Sequence, residues 1–500
     1  MIVSLQLANS RKLISVYSHK NNTQSISKQE VFLNMAIVPL QFNSSSTEPR
    51  YLQLFNHLKN LILSEEISYG SKLPPIRKFA TELGINNITV INAYKQLESA
   101  GYITSKQGSG FYVSKKVSKE QPLYIPPKDK QNFINFASAS PHPGIFPTET
   151  FKEYIVEAID RDKGFAFGYQ EVNGFMPLRQ ILSTFLNETY GLHTSPELIQ
   201  IVSGAQQGID IIAKGLLHSG DAVITENPTY NGAVEVFRSR GCKIVPVHLD
   251  EEGIHLLELE KKIRICKPKL VYVMPNYQNP TTRCYSPETM DRLLYLAKRY
   301  DFFILEEDSM LELSYTHKTP LTLKALDVDD RVIYLKSFSK LLMPGLRMGF
   351  IIIPKVLLES FTKTKQATDI SASGLIQRAL QLYFVNNKWD EHIHYMNEIY
   401  RGRYEYMLAC IENLKKYNIS FDKPEGGLFF WLHLPPHISA EKLYHACYKK
   451  GVLILPSSMF FSLLDKDRDC FIRLSFATCN IDEICKGFKI LEECIKTFSM

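Results

Sequence analysis

Hydrophobic positions fall into two regimes along this 500-residue chain, a short helical one near the front and a long alternation behind it. Leu52, Leu54, Phe55, Leu58, Leu61 and Ile62 recur at helical spacing until Tyr69-Gly70 breaks the pattern. Leu73-Pro74-Pro75 predicts the opening of a second helix through Phe79, Ala80 and Leu83, because proline suits a first helical position where its missing donor is not needed. Gly84-Ile85-Asn86 predicts a tight turn. A third helix follows from about Asn87, with Val90, Ala93, Tyr94 and Leu97 inward and Gly101 as the stop. Tyr102–Ser105 and Gly110–Ser114 then read as two strands joined by Lys106-Gln107-Gly108-Ser109.

From about Asn132 the pattern changes. Helical stretches alternate with short apolar runs at Ile199–Val202, Ala222–Thr225, Leu270–Met274, Phe302–Leu305 and Val332–Leu335, which predicts βα units around a mainly parallel sheet and an α/β fold. Residues 1–49 are polar and unpatterned and receive no fold. Residues 115–133 are rich in Pro and Lys, which favours an extended, semi-rigid connection. The organisation expected is therefore an extension (1–49), a small unit (50–114), a linker (115–133) and a large unit (134–500).

Composition narrows the classes. With 45% hydrophobic and 22% charged residues the chain has the make-up of a globular protein, which excludes bulk disorder. No apolar run approaches the roughly 18 residues of a membrane span, and the first dozen residues lack the features of a secretory signal, so a cytoplasmic protein without membrane contact is expected. Nine cysteines without C-x-x-C spacing suggest reduced thiols rather than a disulfide framework. The thirteen histidines form no set with zinc spacing, and no metal site is expected. The net charge of +6 is concentrated: from Arg50 to Lys119 ten Lys or Arg face four Glu, a surplus equal to that of the whole chain. An acidic polymer is the partner this suggests, for the front part only.

Three helices with a short turn between the second and third make a helix-turn-helix, whose last helix fits the major groove, and a Lys-bearing, Gly-rich hairpin after it makes a wing able to meet phosphates. Arg77, Asn86, Asn87, Thr89, Lys95, Lys106 and Gly108 are the candidate contacts to double-stranded DNA. With Leu73-Pro74-Pro75-Ile76-Arg77, Thr89-Val90, Ala93-Tyr94, Leu97 and Gly108-Ser109-Gly110 in place, the module resembles the GntR-type winged helix-turn-helix. That resemblance implies a DNA contact for Arg77. Two positions depart from the family: Asn87 stands where a base-reading Arg is usual, and Ile91 where a basic residue is common. Asn pairs bidentately with adenine, so a different operator preference is expected.

In the large unit, Lys340 follows an apolar strand, stands behind Ser337 and Ser339, and precedes Arg347 by seven residues. Such a lysine can form a Schiff base with an aldehyde cofactor whose phosphate Ser337, Ser339 and Arg347 would hold; pyridoxal phosphate is the cofactor that fits. Ser203-Gly204-Ala205-Gln206 follows the Ile199–Val202 run and opens a helix, a phosphate cradle of backbone amides. Tyr230, after the Ala222–Thr225 run, can stack on a pyridine ring, and Asn279, after Leu270–Met274, can donate to the cofactor phenolate. Glu306-Glu307-Asp308 ends the Phe302–Leu305 run, where either Glu307 or Asp308 could keep the pyridine nitrogen protonated.

At these residues, and at Gly168-Tyr169, Gly174, Leu178-Arg179, Pro424-Glu425-Gly426-Gly427 and Arg473-Leu474-Ser475-Phe476, residues 134–500 resemble fold-type I pyridoxal-phosphate aminotransferases. The resemblance implies Lys340 as the catalytic, cofactor-bearing lysine, Asn279 and Tyr230 on the ring, Arg473 on a substrate carboxylate, and Tyr169 reaching the phosphate of a neighbouring subunit in a homodimer. Glu307 is one methylene longer than the family's pyridine-binding Asp, and Ala139 and Thr282 replace glycines. A GntR-type module joined to an aminotransferase-like body is similar to the MocR-type transcriptional regulators, which implies a dimeric regulator in which an amine, an amino acid or pyridoxal phosphate at Lys340 modulates DNA binding. A working aminotransferase with a DNA-binding appendage is the alternative.

Overall fold

A computed structural model describes residues 49–63, 67–106, 108–114, 133–316, 321–462 and 469–499. Except for Pro49 and Phe133, the extension expected over 1–49 and the linker expected over 115–133 lie outside the described residues. The chain divides into two compact units, within 1–126 and 127–500.

The front unit consists of helices α1 (Arg50–Leu63), α2 (Ile76–Leu83) and α3 (Asn87–Ser99) and a hairpin of β1 (Ile103–Lys106) and β2 (Gly110–Val113). Its core is the inward stripe of each helix: Leu54 and Leu58 from α1, Phe79 from α2, and Val90, Ala93, Tyr94 and Leu97 from α3 have no exposed surface. Gly84 ends α2 in the left-handed region (φ 63°), and its amide bonds back to the helix, a geometry that a side chain would strain. Asn86 then caps α3 by accepting from the Ile88 amide at 2.9 Å. The hydroxyl of Tyr94 donates to the Pro74 carbonyl at 2.9 Å, so the longest buried side chain of α3 anchors the approach to α2. One expectation shifts: Pro75 is the residue before α2, with ψ 137°, rather than its first helical residue. It pre-sets the entry to the helix, and its carbonyl accepts the first helical bond, from the Phe79 amide at 2.9 Å.

In the large unit, a short β3 (Ile134–Asn135) precedes the strands of the main sheet: β4 (Ile199–Val202), β5 (Ala222–Asn227), β6 (Lys243–Asp250), β7 (Gly253–Ile254), β8 (Leu270–Val273), β9 (Phe303–Asp308), β10 (Val332–Ser337) and β11 (Gly349–Ile352). Their spatial order is β4-β11-β10-β9-β8-β5-β6-β7. The central pairs β5–β6, β5–β8, β8–β9 and β9–β10 are parallel, which explains why the runs are apolar throughout rather than alternating: both faces are covered by helices. β11 runs antiparallel to both neighbours, β4 and β10. A second sheet near the carboxyl end, order β12-β13-β16-β15, is built from β12 (Ser420–Phe421), β13 (Phe429–His433), β15 (Leu455–Pro456) and β16 (Phe471–Ser475), while β14 (Val452–Leu453) pairs with β3. No helix among the described residues is long and apolar enough to cross a membrane. No group of His, Cys, Asp or Glu among them could hold a metal ion.

Candidate functional site

Parallel strands end on one edge of the sheet, and there the turns after β4, β5, β8, β9 and β10 surround a cavity of about 320 Å3. Ala205, Gln206, Tyr230, Asn279, Glu307, Ser337, Ser339, Lys340, Arg347 and Arg473 all line it, joined by Ala139, Met274, Asn276, Tyr277, Ser309, Met310 and Phe429. The sequence reading brought out most of the first set by position after apolar runs, Arg347 by its spacing from Lys340, and Arg473 through the family resemblance alone. It passed over Met274 and Phe429, which carry no polar side-chain group, and Tyr277, whose hydroxyl nothing in the sequence sets apart from those of the other tyrosines.

One end of the cavity is basic and built from backbone. Gly204 stands before the helix Ala205–Leu216 with φ 83°, and its first turn presents amides that have no helical acceptor. The Arg347 guanidinium lies over this turn, donating to the Ser203 carbonyl at 2.8 Å. A Cβ on Gly204 would stand 2.7 Å from that guanidinium, so the close approach requires glycine. Ser337 accepts from the Ser339 amide at 3.3 Å, which fixes the turn leading to Lys340.

At the other end Arg473 is buried on β16. It donates to the Asn279 side-chain oxygen at 2.6 Å and to the Ala137 carbonyl at 2.7 Å, and its plane lies over the Phe429 and Phe460 rings. Its Nε finds no hydrogen-bond partner among the described residues. A buried donor left over in this way is costly unless something else accepts from it.

Lys340 and Glu307 stand between these ends. Burial pushes the Lys340 amine down to about 8, Arg473 adds to the effect and Glu307 opposes it. The Glu307 carboxylate accepts from the Tyr272 hydroxyl at 2.5 Å and the Ser309 hydroxyl at 3.5 Å, and burial still raises its pKa above the ordinary carboxylate value. Tyr230 is held by its neighbours, its hydroxyl donating to Gln206 at 3.4 Å.

Two expected cofactor contacts lie elsewhere. Asp308 does not line the cavity, because consecutive strand residues point to opposite faces: its carboxylate accepts from Lys336 at 2.7 Å, from the Tyr334 hydroxyl, and from the Met310 and Leu311 amides. Of the two carboxylates left open, Glu307 is therefore the one facing the cavity. Tyr169 is 87% exposed, beside exposed Phe165 and Phe167 and away from this cavity in its own chain.

In the front unit, Arg77 on α2, Asn87 and Lys95 on α3 and Lys106 and Gly108 on the hairpin are exposed, while Thr89 is half-buried. The oxygen of Asn86 is taken up by its capping bond. Lys106 lies 4.8 Å from the Tyr112 ring centroid, with Lys72 on the same ring at 5.9 Å, a pairing the sequence reading missed because Lys72 precedes α2.

Residues 134–489 match the family described as aminotransferase class I and II, and residues 50–113 match the bacterial regulatory proteins of the gntR family. The HTH-type transcriptional regulator YdfD of Bacillus subtilis is 30% identical over 477 residues, covering 90% of this chain and 96% of its own length. MocR of Rhizobium meliloti is 28% identical over 435 residues, covering 83% and 87%. Among solved structures, a Pyrococcus horikoshii kynurenine aminotransferase in complex with PMP is similar with a TM-score of 0.69 and 33% identity, covering 73% of this chain and 91% of that one.

Proposed function

The chain belongs to the aminotransferase class I and II family and carries a gntR-type regulatory module in front of it; on that premise we propose that it is a transcriptional regulator whose binding to double-stranded DNA answers to pyridoxal phosphate and to an amine or amino acid at the Lys340 site. The observation that carries the reading is the single cavity in which Lys340, the Gly204–Arg347 cradle and the leftover Nε of Arg473 meet.

The residues present fit the cofactor. Gly204, Ala205, Gln206, Ser337, Ser339 and Arg347 offer amides, hydroxyls and a guanidinium to a phosphate, and Glu307 offers a carboxylate, raised by burial, to a ring nitrogen. When bound, pyridoxal phosphate supplies an aldehyde carbon on which one amine can replace another. Lys340 has a pKa of about 8, so a useful share of its amine is neutral and nucleophilic near neutral pH. Asn279 and Tyr230 orient what lies between them, and Arg473, short of an acceptor, binds a carboxylate. The substrate or effector class is thus an amine bearing a carboxylate.

Such a ligand changes DNA binding only through unequal affinity for two arrangements of the protein. The exposed Phe165, Phe167 and Tyr169 support a second copy of this chain as a partner, with Tyr169 reaching into that copy's site. Two copies also bring two recognition helices to two half-sites. A DNA-reading role supports a cytoplasmic location.

Titrating operator DNA with the full chain in gel shifts, with and without pyridoxal phosphate and a panel of amino acids, tests the reading. The expected result is a ligand-dependent change in affinity that Lys340→Ala lacks. The second reading, a working aminotransferase, is favoured by the joint presence of Lys340, Asn279, Arg347 and Arg473 around one cavity. Conversion of bound cofactor by an amino acid in single-turnover absorbance, without DNA affinity, would establish that reading instead.

A further inference from the structure

The outer face of α3 carries amides and aliphatic carbon where a groove-reading helix meets base edges. Val90, Ala93, Tyr94 and Leu97 have no exposed surface. Asn87, Asn92 and Lys95 are turned to solvent, Ile91 is half-buried, and Ile88 is 62% exposed in the first turn. That isoleucine packs against little of its own unit, and water is a poor neighbour for so much apolar surface. The first two turns of α3 contain no Lys or Arg, and Lys95 comes only in the third.

The exposed cations of the unit lie outside this stripe. Arg77 and Lys78 on α2, Lys95 farther along α3 and Lys106 on the hairpin are all exposed. Exposed cations at the edges of a recognition surface match phosphates, which position a protein on duplex DNA without reading its sequence. The centre has different chemistry. In the major groove an Asn amide pairs bidentately with N6 and N7 of adenine, apolar carbon meets the C5 methyl of thymine, and guanine is the preferred partner of Arg and Lys.

We propose that α3 reads A·T base pairs, Asn87 taking an adenine edge and Ile88, with Ile91 beside it, taking a thymine methyl. The preferred half-site is A·T-rich where the first turns of α3 enter the groove, and Arg77, Lys95 and Lys106 hold its phosphates. The proposal rests on the DNA-binding reading of the front unit and names the sequence class that unit selects.

Selection of random duplexes by the full chain, followed by replacement of each selected thymine with deoxyuridine, tests it on the native protein. Half-sites centred on A·T pairs are expected, with loss of one or two particular methyls weakening binding about fourfold, the worth of one buried methyl. Ile88→Ala abolishes that methyl dependence. Asn87→Ala costs about fivefold or more at one adenine, with the salt dependence of binding unchanged. G·C-centred half-sites, or a native protein indifferent to deoxyuridine at every position, overturn the proposal while leaving DNA binding intact. Failure to retain any duplex at low salt removes the DNA-binding reading itself, and this proposal with it.

Discussion

Glu307 and Asp308 are neighbours at the end of β9, yet they occupy opposite conditions. Below the sheet, Asp308 belongs to a closed set of charges: Lys336 bonds it at 2.7 Å and Glu312 at 2.9 Å, Tyr334 donates to Asp308, and the Tyr190 hydroxyl donates to Glu312 at 3.0 Å. Burial would lower the pKa of Lys336, but the two carboxylates outweigh it and hold the ammonium above its ordinary value. Above the sheet, among the described residues, Glu307 has two hydroxyl partners and no cation bonded to it, Lys340 has no ion pair and a lowered pKa, and Arg473 keeps a spare donor. Both lysines come from β10 or the turn after it. A buried polar set whose members satisfy one another is structural; a set that leaves its donors and charges short is where a ligand completes the count.

The contrast can be broken most severely at Lys336. Lys336→Met leaves Asp308 and Glu312 buried without their cation and should cost about 3–5 kcal/mol, read as a lower urea midpoint for the large unit. A loss under about 1 kcal/mol would show that the two faces do not differ as described. The matching change on the other face, Lys340→Met, should alter stability by less than about 1 kcal/mol, since an unpaired amine in a cavity gives the fold little. It should abolish the shift in absorbance that imine formation gives to added pyridoxal phosphate, and the adduct trapped by borohydride.

The trapping rate of the native chain should rise with pH and level off above about 8, because only the deprotonated amine attacks. Arg473→Gln removes a charge that favours deprotonation and should move the midpoint up; Glu307→Gln removes one that opposes it and should move the midpoint down. The smallest effect is expected for Ser309→Ala. Its hydroxyl reaches Glu307 at 3.5 Å, beyond good hydrogen-bond geometry, so the loss should stay within about 0.5 kcal/mol in the same urea titration.

Much of this architecture is visible in one dimension because its determinants are local. Apolar runs such as Ile199–Val202 and Leu270–Val273 are buried on both faces, so they read as strands without alternation, and the inward stripe of α3 follows helical spacing from Val90 to Leu97. What stays hidden depends on pairing across the fold. Whether Glu307 or Asp308 meets the cavity is set by which face of β9 lies inward, and nothing within Glu306-Glu307-Asp308 encodes that. Lys336 sits in an otherwise apolar strand and looks out of place until Asp308 and Glu312 arrive from the neighbouring strand and the turn after it. The antiparallel β11 is hidden for the same reason: direction in a sheet belongs to the partner strand as much as to the segment.

That reversed strand has a mechanical result. Ser337 pairs with Gly349, so the segment carrying Lys340 and Arg347 is a loop clasped at both feet by a two-strand register. Lengthening or shortening it would displace the amine and the guanidinium together while leaving the neighbouring strands where they are. Heritable variation in that one loop could therefore retune the chemistry of the cavity without disturbing the scaffold that carries it.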